Sequence, residues 1–334
     1  MIEPGMRVLA IVVARIGDTL LVTPALRALK AACGAGELHV MAHPKRMDLL
    51  RHLPFVDRLS PITPFRARLR GRLGARRHDV GVVWADDEAI LGYALRAARR
   101  VVAFRRGDAS LDGRLAAAVA RPGRPTHAVI ERLMLAEAAG ARCADPRLAF
   151  RVTEAEAGQA RRLVASALPG TDGPLVGLQI QSFPTKRYRD WPAGHFAQLL
   201  DRLFAASRGA RALVLGDAQS EAAARALVQR HPERVASLAG RLSLRELAAV
   251  LACLDLYVGV DTGPTHLAGA LGIPMVALYH CRHRGSLLAP LDHPALTVIE
   301  HPAADADCTP QREMAEIGVD RVWDAVAARL FAGA

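Results

Sequence analysis

One segment, Leu256 to Pro274 with the sequence LYVGVDTGPTHLAGALGIP, constrains the fold more than any other. It opens with an apolar run, which suits a buried parallel strand. Asp261, Thr262 and Gly263 interrupt this run, and Pro264 then begins a pattern of helical spacing. Such a strand, tight turn and helix N-terminus can bind an anion, because unpaired N–H groups and the positive end of the helix dipole face the turn. Many α/β proteins have such a turn without a ligand, so the segment alone favours phosphate or nucleotide binding only slightly.

Predicted strands and helices alternate along the whole chain. Apolar runs suited to buried strands recur in both halves and are separated by segments of helical spacing. This alternation predicts an α/β fold with parallel sheets and right-handed crossovers. Besides the strand that starts at Leu256, the predicted strands are Arg7–Val13, Glu37–Met41, His78–Ala85, Val101–Phe104, Leu175–Ile180, Ala210–Leu215, Val235–Leu238 and Met275–Leu278. A stretch of low periodicity, Cys143 to Val152, predicts a linker between two domains, 1–150 and 151–317.

Composition limits the class of protein. The chain has 334 residues, about half of them apolar, so two domains of ordinary size can each bury a core. No apolar run reaches the ~20 residues that cross a bilayer, and no signal peptide is recognisable. The five cysteines, at positions 33, 143, 253, 281 and 308, include no C-x-x-C pair. This odd and scattered set predicts free thiols and a cytoplasmic protein rather than a disulfide framework or a zinc cage.

The positive charge is concentrated in the first half of the chain. Residues 1–150 carry 25 Lys and Arg against 14 Asp and Glu, and residues 151–334 carry 19 of each. Six arginines lie between Arg66 and Arg77. A basic first domain attracts phosphorylated glycans, membrane surfaces or nucleic acid. Part of the excess also reflects a general preference for arginine over lysine.

Four segments together resemble glycosyltransferase family 9, the ADP-heptose heptosyltransferases. The segment Gly17-Asp-Thr-Leu-Leu-Val-Thr-Pro-Ala-Leu-Arg-Ala-Leu29 resembles the family's N-terminal GD-x-L-x-x-x-P-x-L-x-x-L pattern. Trp191-Pro-Ala-Gly-His-Phe196 resembles its WP-x-x-x-F segment, which follows a basic loop. Gly240-Arg-Leu-Ser-Leu-Arg-Glu-Leu247 and Asp261-Thr-Gly-Pro-Thr-His-Leu-Ala268 resemble its two later segments, G-x-x-S-L-x-E-L and D-S/T-G-P-x-H-L-A. All four stand in the family's order and span about three quarters of the chain.

The resemblance implies a GT-B architecture, in which two Rossmann-like domains face a central cleft. The first domain would take the acceptor and the second an ADP-sugar, and the last helix, 318–331, could pack back on the first domain. The implied reaction is an inverting, metal-independent transfer of a heptose from ADP-heptose to the inner core of lipopolysaccharide, with no cofactor besides the donor. For the phosphorylated glycolipid acceptor, the candidate residues are Arg15, Arg66 and Arg68. The basic domain also suggests peripheral contact with the cytoplasmic face of the inner membrane.

Asp18 is the candidate catalytic base. An inverting transfer needs a base for the acceptor hydroxyl and a group that stabilises the leaving diphosphate. Asp18 follows Gly17 at the end of the first strand, where the alternative role is to cap the next helix. The basic loop supplies the cation for the diphosphate, and the family's lysine corresponds to Arg189 in gap-free register or to Lys186 if the loop is longer. Both assignments stay open. An arginine at this position would replace the compact ammonium charge of lysine by a planar guanidinium group.

The resemblance also assigns the donor site. Asp261, Thr262, Gly263 and His266 would hold the diphosphate and the neighbouring sugar. Hydroxyl donors would come from Thr185 and Ser182, a ribose contact from Glu221, and the adenine pocket from Leu242 and Ser243. Ser243 also opens a capping box with Glu246.

Several alternatives stay open. The same fold could use another nucleotide sugar, or a protein or O-antigen acceptor. The high charge also fits a nucleic-acid-binding protein, although the chain lacks an aromatic stacking platform for single strands. Asp305-Ala-Asp307 matches the D-x-D metal-binding motif of another glycosyltransferase fold, but its polar surroundings indicate a surface loop. A metal site formed by the stretch His280-Cys-Arg-His283 with Cys308 fits no standard zinc spacing, so we expect no metal.

Overall fold

The computed structural model describes residues 1–70, 77–170 and 172–331. It divides into two compact units, Met1–Arg151 and Val152–Ala334. The division falls within the stretch predicted as a linker, one residue after the predicted limit of the first domain. Residues 71–76, which include part of the arginine-rich stretch, lie outside the described residues.

The first unit is a parallel sheet of six strands with helices on its faces. Its strands are β1 (Val8–Val12), β2 (Leu38–Ala42), β3 (Arg58–Pro61), β4 (His78–Val83), β5 (Ala98–Phe104) and β6 (Ala117–Val119). Its α-helices are α1 (Ile16–Leu21), α2 (Thr23–Cys33), α3 (Pro64–Arg70), α4 (Glu88–Ala97), α5 (Ala109–Asp112) and α6 (Ala128–Ala138), and a 3₁₀ helix covers Pro44–Leu49. The strand order is β3-β2-β1-β4-β5-β6, and every described pairing is parallel.

The second unit repeats this plan. Its strands are β7 (Leu175–Gln179), β8 (Arg211–Leu215), β9 (Val235–Ser237), β10 (Leu256–Val260), β11 (Met275–Tyr279) and β12 (Leu296–Glu300). Its α-helices are α7 (Glu154–Ala167), α8 (Ala193–Ala206), α9 (Glu221–Arg230), α10 (Leu244–Leu251), α11 (Gly263–Leu271), α12 (Gly285–Leu288) and α13 (Val319–Phe331). Five 3₁₀ helices cover Pro184–Arg189, Ala218–Ser220, Cys281–His283, Asp305–Asp307 and Met314–Glu316. The strand order β12-β11-β10-β7-β8-β9 is the Rossmann order of the first unit, counted from the other edge.

Both sheets therefore reverse their strand order at an equivalent place. The reversal lies between β1 and β4 in the first unit and between β7 and β10 in the second. The central strands β1, β7 and β10 are buried along their whole length, as their apolar runs predicted. In sheets of this order, ligands bind beyond the carboxyl ends of the strands at the reversal.

The sequence did not predict three of the strands. These are β3, β6 and β12, all at sheet edges and mostly half-buried or exposed. An edge strand packs on fewer neighbours and needs no continuous apolar run, so the pattern that identifies a buried strand is missing there.

The C-terminal helix α13 packs on α8, β10 and β11 of the second unit. Its buried side chains Val319, Val322 and Val326 belong to the same core as Trp191 and Phe196. The apolar stripe that marked it as amphipathic therefore completes the second core.

The prediction of free thiols was wrong for two of the five cysteines. Cys281 and Cys308 form a disulfide across 27 residues, while Cys33, Cys143 and Cys253 are free. Cys281 lies two residues after the end of β11, and the chain returns past β12 to bring Cys308 beside it. The spacing of the cysteines in the sequence does not show that the chain returns in this way. The disulfide could therefore not be predicted from the number and spacing of the cysteines. Among the described residues, no helix is long and apolar enough to cross a membrane.

Candidate functional site

A buried ion pair lies at the strand-order reversal of the second sheet. Asp261 follows β10 directly and is only 3% exposed. Its Oδ2 accepts a hydrogen bond from Arg189 Nη1 at 2.6 Å, and the same nitrogen lies 3.4 Å from the Asp261 carbonyl oxygen. His266 Nε2 lies 3.7 Å from Asp261 Oδ1. The structure thus brings together three of the predicted site residues from a loop, a strand end and a helix.

Helix α11 begins at this ion pair. Thr262 is its N-cap residue, but the side chain makes no capping hydrogen bond to the first turn. The Thr262 hydroxyl instead lies 3.3 Å from that of Thr265, which donates to the Val260 carbonyl. Gly263 and Pro264 open the helix, as the sequence predicted. The N-terminus therefore keeps backbone N–H groups and a positive dipole end available to an anion.

The basic loop presents its two candidate cations differently. Arg189 is held by Asp261, and its guanidinium lies 5.8 Å from the centre of the Tyr188 ring. The Lys186 ammonium also lies 5.8 Å from that ring and, among the described residues, has no carboxylate within ion-pair distance. Arg189, the residue of the gap-free alignment, therefore lies beside Asp261. Lys186, the residue of the longer-loop alignment, makes no described ion pair with it.

Tyr188 is fixed by a contact that the sequence did not reveal. Its hydroxyl lies 2.7 Å from His283 Nε2, and the two rings stack with their centres 5.9 Å apart. Burial, together with the positive charges of Arg189 and Lys186, lowers the pKa of His283 to about 4. A neutral His283 can therefore hold Tyr188 between the two cations without adding a third positive charge.

The hydroxyl of Ser182 serves the loop itself. Its Oγ lies 2.7 Å from the Lys186 carbonyl oxygen and 2.6 Å from Asp190 Oδ1, and its backbone N–H donates to the same carboxylate. Burial raises the pKa of Asp190. Ser182 is thus an anchor of the loop, whereas the neighbouring Thr185 is exposed.

The remaining predicted donor residues lie on other elements of the second unit. Ser243 is the N-cap of α10 and forms the predicted capping box with Glu246, while Leu242 just before it is half-buried. Glu221 is exposed at the start of α9, 3.5 Å from Arg225. None of these three side chains has a described hydrogen bond or ion pair to Asp261 or Arg189.

Gln179 is a candidate that sequence reasoning missed. It ends β7, opposite Gly259 of β10 at the reversal, and is 4% exposed. Its Nε2 donates to the Gln181 carbonyl at 2.8 Å, and its Oε1 has no hydrogen-bond partner among the described residues. The sequence did contain a signal for Gln179, namely a polar residue at the end of the apolar run LVGL. A buried amide needs a hydrogen-bond partner, so a polar residue at this position indicates a polar contact.

In the first unit, Asp18 lies inside a helix rather than before one. Helix α1 begins at Ile16 with Arg15 as its N-cap, so the capping alternative for Asp18 was wrong. A second helix, α2, begins at Thr23, directly after the C-cap residue of α1. The Asp18 Oδ1 lies 3.1 Å from Arg132 Nη2 of α6, and the Asp18 side chain is 42% exposed. The carboxylate is thus positioned by an arginine from a distant part of the chain and remains open to solvent.

Beyond Arg132, a chain of ion pairs runs along the carboxyl edge of the first sheet. Arg132 Nη1 lies 3.3 Å from Glu131, and Glu131 lies 2.6 Å from Arg121. Arg121 also lies 2.7 Å from Asp86, which follows β4. The sequence did not predict this network, because its members are distant in the chain and match no motif.

The predicted acceptor arginines are all exposed, but they lie on two elements. Arg15 precedes α1, and Arg66 and Arg68 lie on α3. The same helix exposes Phe65 and Leu69, by 73% and 62%. Helix α3 therefore presents both positive and apolar groups to solvent.

The structure brings together only some of the residues that were considered in the sequence as a metal site. Ligand atoms of His280, Cys281 and Cys308 lie within 4.8 Å of one another, but both sulfurs are in the disulfide. His280 Nε2 lies 3.0 Å from the Arg312 carbonyl, and its Nδ1 accepts from the Arg282 N–H. His283, which had been grouped with these residues, instead contacts Tyr188.

Two Rossmann-order sheets, each with polar groups at the carboxyl edge, define an α/β protein of the GT-B class. A family model described as glycosyltransferase family 9 (heptosyltransferase) matches residues 66–315. The chain belongs to this family, as the four sequence segments indicated.

Individual relatives agree with this result. The chain is 32% identical over 112 residues to lipooligosaccharide heptosyltransferase 2 of Haemophilus influenzae, a match covering 32% of this chain and 31% of that protein. The match thus spans about a third of the curated relative's length. A family 9 glycosyl transferase structure from Veillonella parvula aligns with 100% of this chain and 99% of its own at a TM-score of 0.83 and 19% identity. The structure of E. coli ADP-heptose lps heptosyltransferase II aligns with 98% of this chain and 99% of its own. Its TM-score is 0.79 and its sequence identity is 22%. These two likenesses confirm the predicted fold.

Proposed function

We propose that the protein transfers a heptose from ADP-heptose to the inner core of lipopolysaccharide, with inversion at the anomeric carbon and without a metal ion. The observation that carries the proposal is the Arg189–Asp261 pair at the N-terminus of α11. Family membership supports a glycosyl transfer, and the similar structure from E. coli is named for ADP-heptose.

On the donor side, hydrogen-bond donors and the positive end of the α11 dipole are already in place. Arg189 and the N–H groups at the start of α11 would face the diphosphate, and Asp261 would orient Arg189 toward it. His266 would contact the sugar or the phosphate beside Asp261. Since these groups neutralise the leaving diphosphate, we expect transfer to continue in the presence of a chelator such as EDTA.

On the acceptor side, Asp18 would act as the base. Its carboxylate would take the proton of an acceptor hydroxyl while the hydroxyl oxygen attacks the anomeric carbon. The bond from that carbon to the diphosphate breaks in the same step, ADP leaves with the electron pair, and the configuration inverts. Arg132 would hold the carboxylate in position. Arg15, Arg66 and Arg68 would attract phosphate groups of the acceptor.

The test separates donor binding from transfer. Calorimetric titration with ADP and UDP should show binding of ADP only, and Asp261→Ala should lose it. Asp18→Asn should keep ADP affinity and lose transfer to a heptose-deficient core acceptor by roughly 10²–10⁴-fold. Asp48→Asn is a matched control, since Asp48 is an exposed carboxylate of the same unit. If ADP does not bind, or if Asp18→Asn transfers heptose like the control, the assignment is wrong.

The same assays decide between the remaining alternatives. Binding of UDP instead of ADP would indicate another nucleotide sugar, and transfer to a protein or O-antigen acceptor would replace the core acceptor. Nucleic-acid binding would require a gel shift that survives moderate salt, because charge attraction alone disappears with salt.

We also propose a cytoplasmic location with peripheral attachment to an anionic membrane surface. The support is α3, where Phe65 and Leu69 are exposed beside Arg66 and Arg68. Each cation near anionic lipid contributes about 1 kcal/mol, and exposed apolar side chains can enter the interface. Vesicles with anionic lipid should sediment more protein than neutral ones, and Phe65→Ser with Leu69→Ser should reduce that difference. Equal sedimentation with both vesicles would refute the attachment.

A further inference from the structure

A cavity lies at the amino end of the first sheet, the edge opposite Asp18. Its volume is about 310 Å³. Its described lining comes from β2, β3, β4 and α4 and from the residues just before β1, β2 and β4: Arg7, Glu37, His39, Met41, Arg58, Ser60, Arg77, His78 and Tyr93. The lining extends along one face of the sheet as far as Met41 and Ser60, in β2 and β3. The transfer reaction proposed above does not use it.

The floor of the cavity is a chain of buried polar groups. His39 and His78 are 5% and 7% exposed, and His39 Nδ1 lies 3.1 Å from His78 Nε2. His78 Nδ1 lies 3.3 Å from the Ala97 carbonyl, which only accepts, so this nitrogen carries the proton. His39 Nδ1–H then donates to His78 Nε2, and His39 Nε2 lies 2.9 Å from the Ser60 hydroxyl oxygen. Each of the four ring nitrogens thus has a hydrogen-bond contact, and these contacts hold the floor of the cavity in place.

The walls of the cavity are positively charged. Arg7, Arg58 and Arg77 line it, and none of them has a carboxylate within ion-pair distance in the described part of the chain. Among the described residues of the lining, Glu37 is the only acidic one, so these residues carry a net charge of two positive units.

The other carboxylates at this edge are already engaged. Asp57 Oδ2 accepts from Lys30 and from the Leu38 N–H, both at 2.7 Å. Asp79 Oδ2 accepts from the Arg7 N–H at 2.9 Å, and its Oδ1 lies 4.0 Å from Arg99 Nε. The three guanidinium groups of the cavity are thus not paired directly with a described carboxylate, and guanidinium groups in this state can bind phosphate oxygens.

We propose that this cavity binds a phosphomonoester carried by a small polyhydroxyl group, such as a phosphorylated sugar. A dianionic phosphate matches the two net positive charges of the walls. The volume is at the lower end of the ~300–1,000 Å³ typical of small-ligand sites, which leaves room for a sugar ring beside the phosphate. Tyr93 and Met41 give that ring an aromatic and apolar surface, and Ser60, His39 and Glu37 give its hydroxyls polar partners.

The electrostatics of the floor agree with this assignment. Burial lowers the pKa of His78, and the charges of Arg7 and Arg58 lower it further, whereas Glu37 and the hydrogen bond to Ala97 raise it. The charged groups of the walls, of both signs, therefore act on the interior of the cavity. A bound dianion would oppose them, so ligand binding should shift the ring resonances of His78 and His39.

The test titrates the whole protein with glucose 6-phosphate and with inorganic phosphate by calorimetry, and follows the histidine rings by NMR. Glucose 6-phosphate should bind more tightly than phosphate and should shift the His39 and His78 signals. The double variant Arg58→Gln/Arg77→Gln should lose roughly tenfold or more in affinity. Arg99→Gln is the matched control, because Arg99 lies at the same edge but outside the lining.

Two results would overturn the proposal. One is equal affinity for glucose 6-phosphate in the double variant and in Arg99→Gln, which would indicate general attraction to a basic surface. The other is binding that leaves the His39 and His78 signals unmoved. ADP affinity, which tests the transferase site, should be the same in all these variants, so the two proposals fail separately. Competition by vesicles that contain phosphatidic acid, but not by phosphatidylcholine vesicles, would show that the phosphomonoester can be lipid-borne, and its absence would indicate a free sugar phosphate.

Discussion

Removing the Arg189 side chain should destabilise the second unit much more than removing that of Lys186. Asp261 is buried with a 4% exposed side chain, and its main counter-charge is Arg189 at 2.6 Å. Breaking a buried ion pair by deleting one partner costs about 3–5 kcal/mol, because the other charge is left uncompensated. Arg189 is 16% exposed and His266 remains at 3.7 Å, so we expect the lower end, about 3 kcal/mol, for Arg189→Ala. Lys186 has no such partner, and Lys186→Ala should stay within about 0.5 kcal/mol of wild type.

The assay is urea unfolding followed by tryptophan fluorescence. A Trp84→Phe background leaves Trp191 and Trp323, both in the second unit, as the only reporters among the three tryptophans of the chain. The Arg189→Ala midpoint should fall while the slope stays constant. Adding Asp261→Asn should recover part of the loss, because the buried group is then neutral, and the double-mutant cycle gives the coupling energy.

Ligand binding in the same variants identifies the cation of the diphosphate site. Arg189→Ala should weaken ADP binding at least tenfold, about 1.4 kcal/mol, whereas Lys186→Ala should leave it nearly unchanged. Equal stability of the two variants would refute the reasoning about the buried pair. Loss of ADP binding in Lys186→Ala alone would show that the longer-loop register is correct.

Two further predictions concern covalent and acid–base links within the second unit. Replacing Cys281 and Cys308 by serine should lower its free energy of unfolding by about 3.5 kcal/mol, the chain-entropy value for a loop of this length, and dithiothreitol should have the same effect on the wild type but none on the variant. Hydrogen bonds from Arg245 lower the pKa of Glu156 to about 2, so the pair stabilises the fold above the ordinary pKa of 4.5 and loses this contribution as pH falls toward 2. The stability difference between wild type and Glu156→Gln should therefore be constant above about pH 5 and disappear toward pH 2 in urea titrations; a difference that persists at pH 2 would contradict this.

Local patterns predicted the features that depend on near neighbours in the chain. The turn from Asp261 to Pro264 and the capping box of Ser243 with Glu246 are each formed by residues within three positions of one another, so the sequence contains the whole interaction. The fully buried central strands were equally visible, because burial on both faces requires a continuous apolar run.

The candidate site itself depended on contacts between distant residues. Arg189 and Asp261 are 72 positions apart, and Asp18 and Arg132 are 114 apart. Family resemblance brought Asp18, Arg189 and Asp261 into consideration, but Arg132 and Gln179 match no segment and emerged only from the fold. The family resemblance also did not decide whether Lys186 or Arg189 is the cation of the diphosphate site. A sequence alignment alone does not show which of the two side chains contacts a carboxylate.

Helix α13 has a consequence for the order in which the chain folds during synthesis. The first unit has all its strands and helices once Arg151 has been made, so it can fold while the ribosome is still translating the rest. The second core lacks Val319, Val322 and Val326 until the helix at 319–331 emerges, and these residues pack in the same core as Trp191. The nascent second unit must therefore wait, with part of its core exposed, until this helix emerges, and in this interval it would depend most on chaperones.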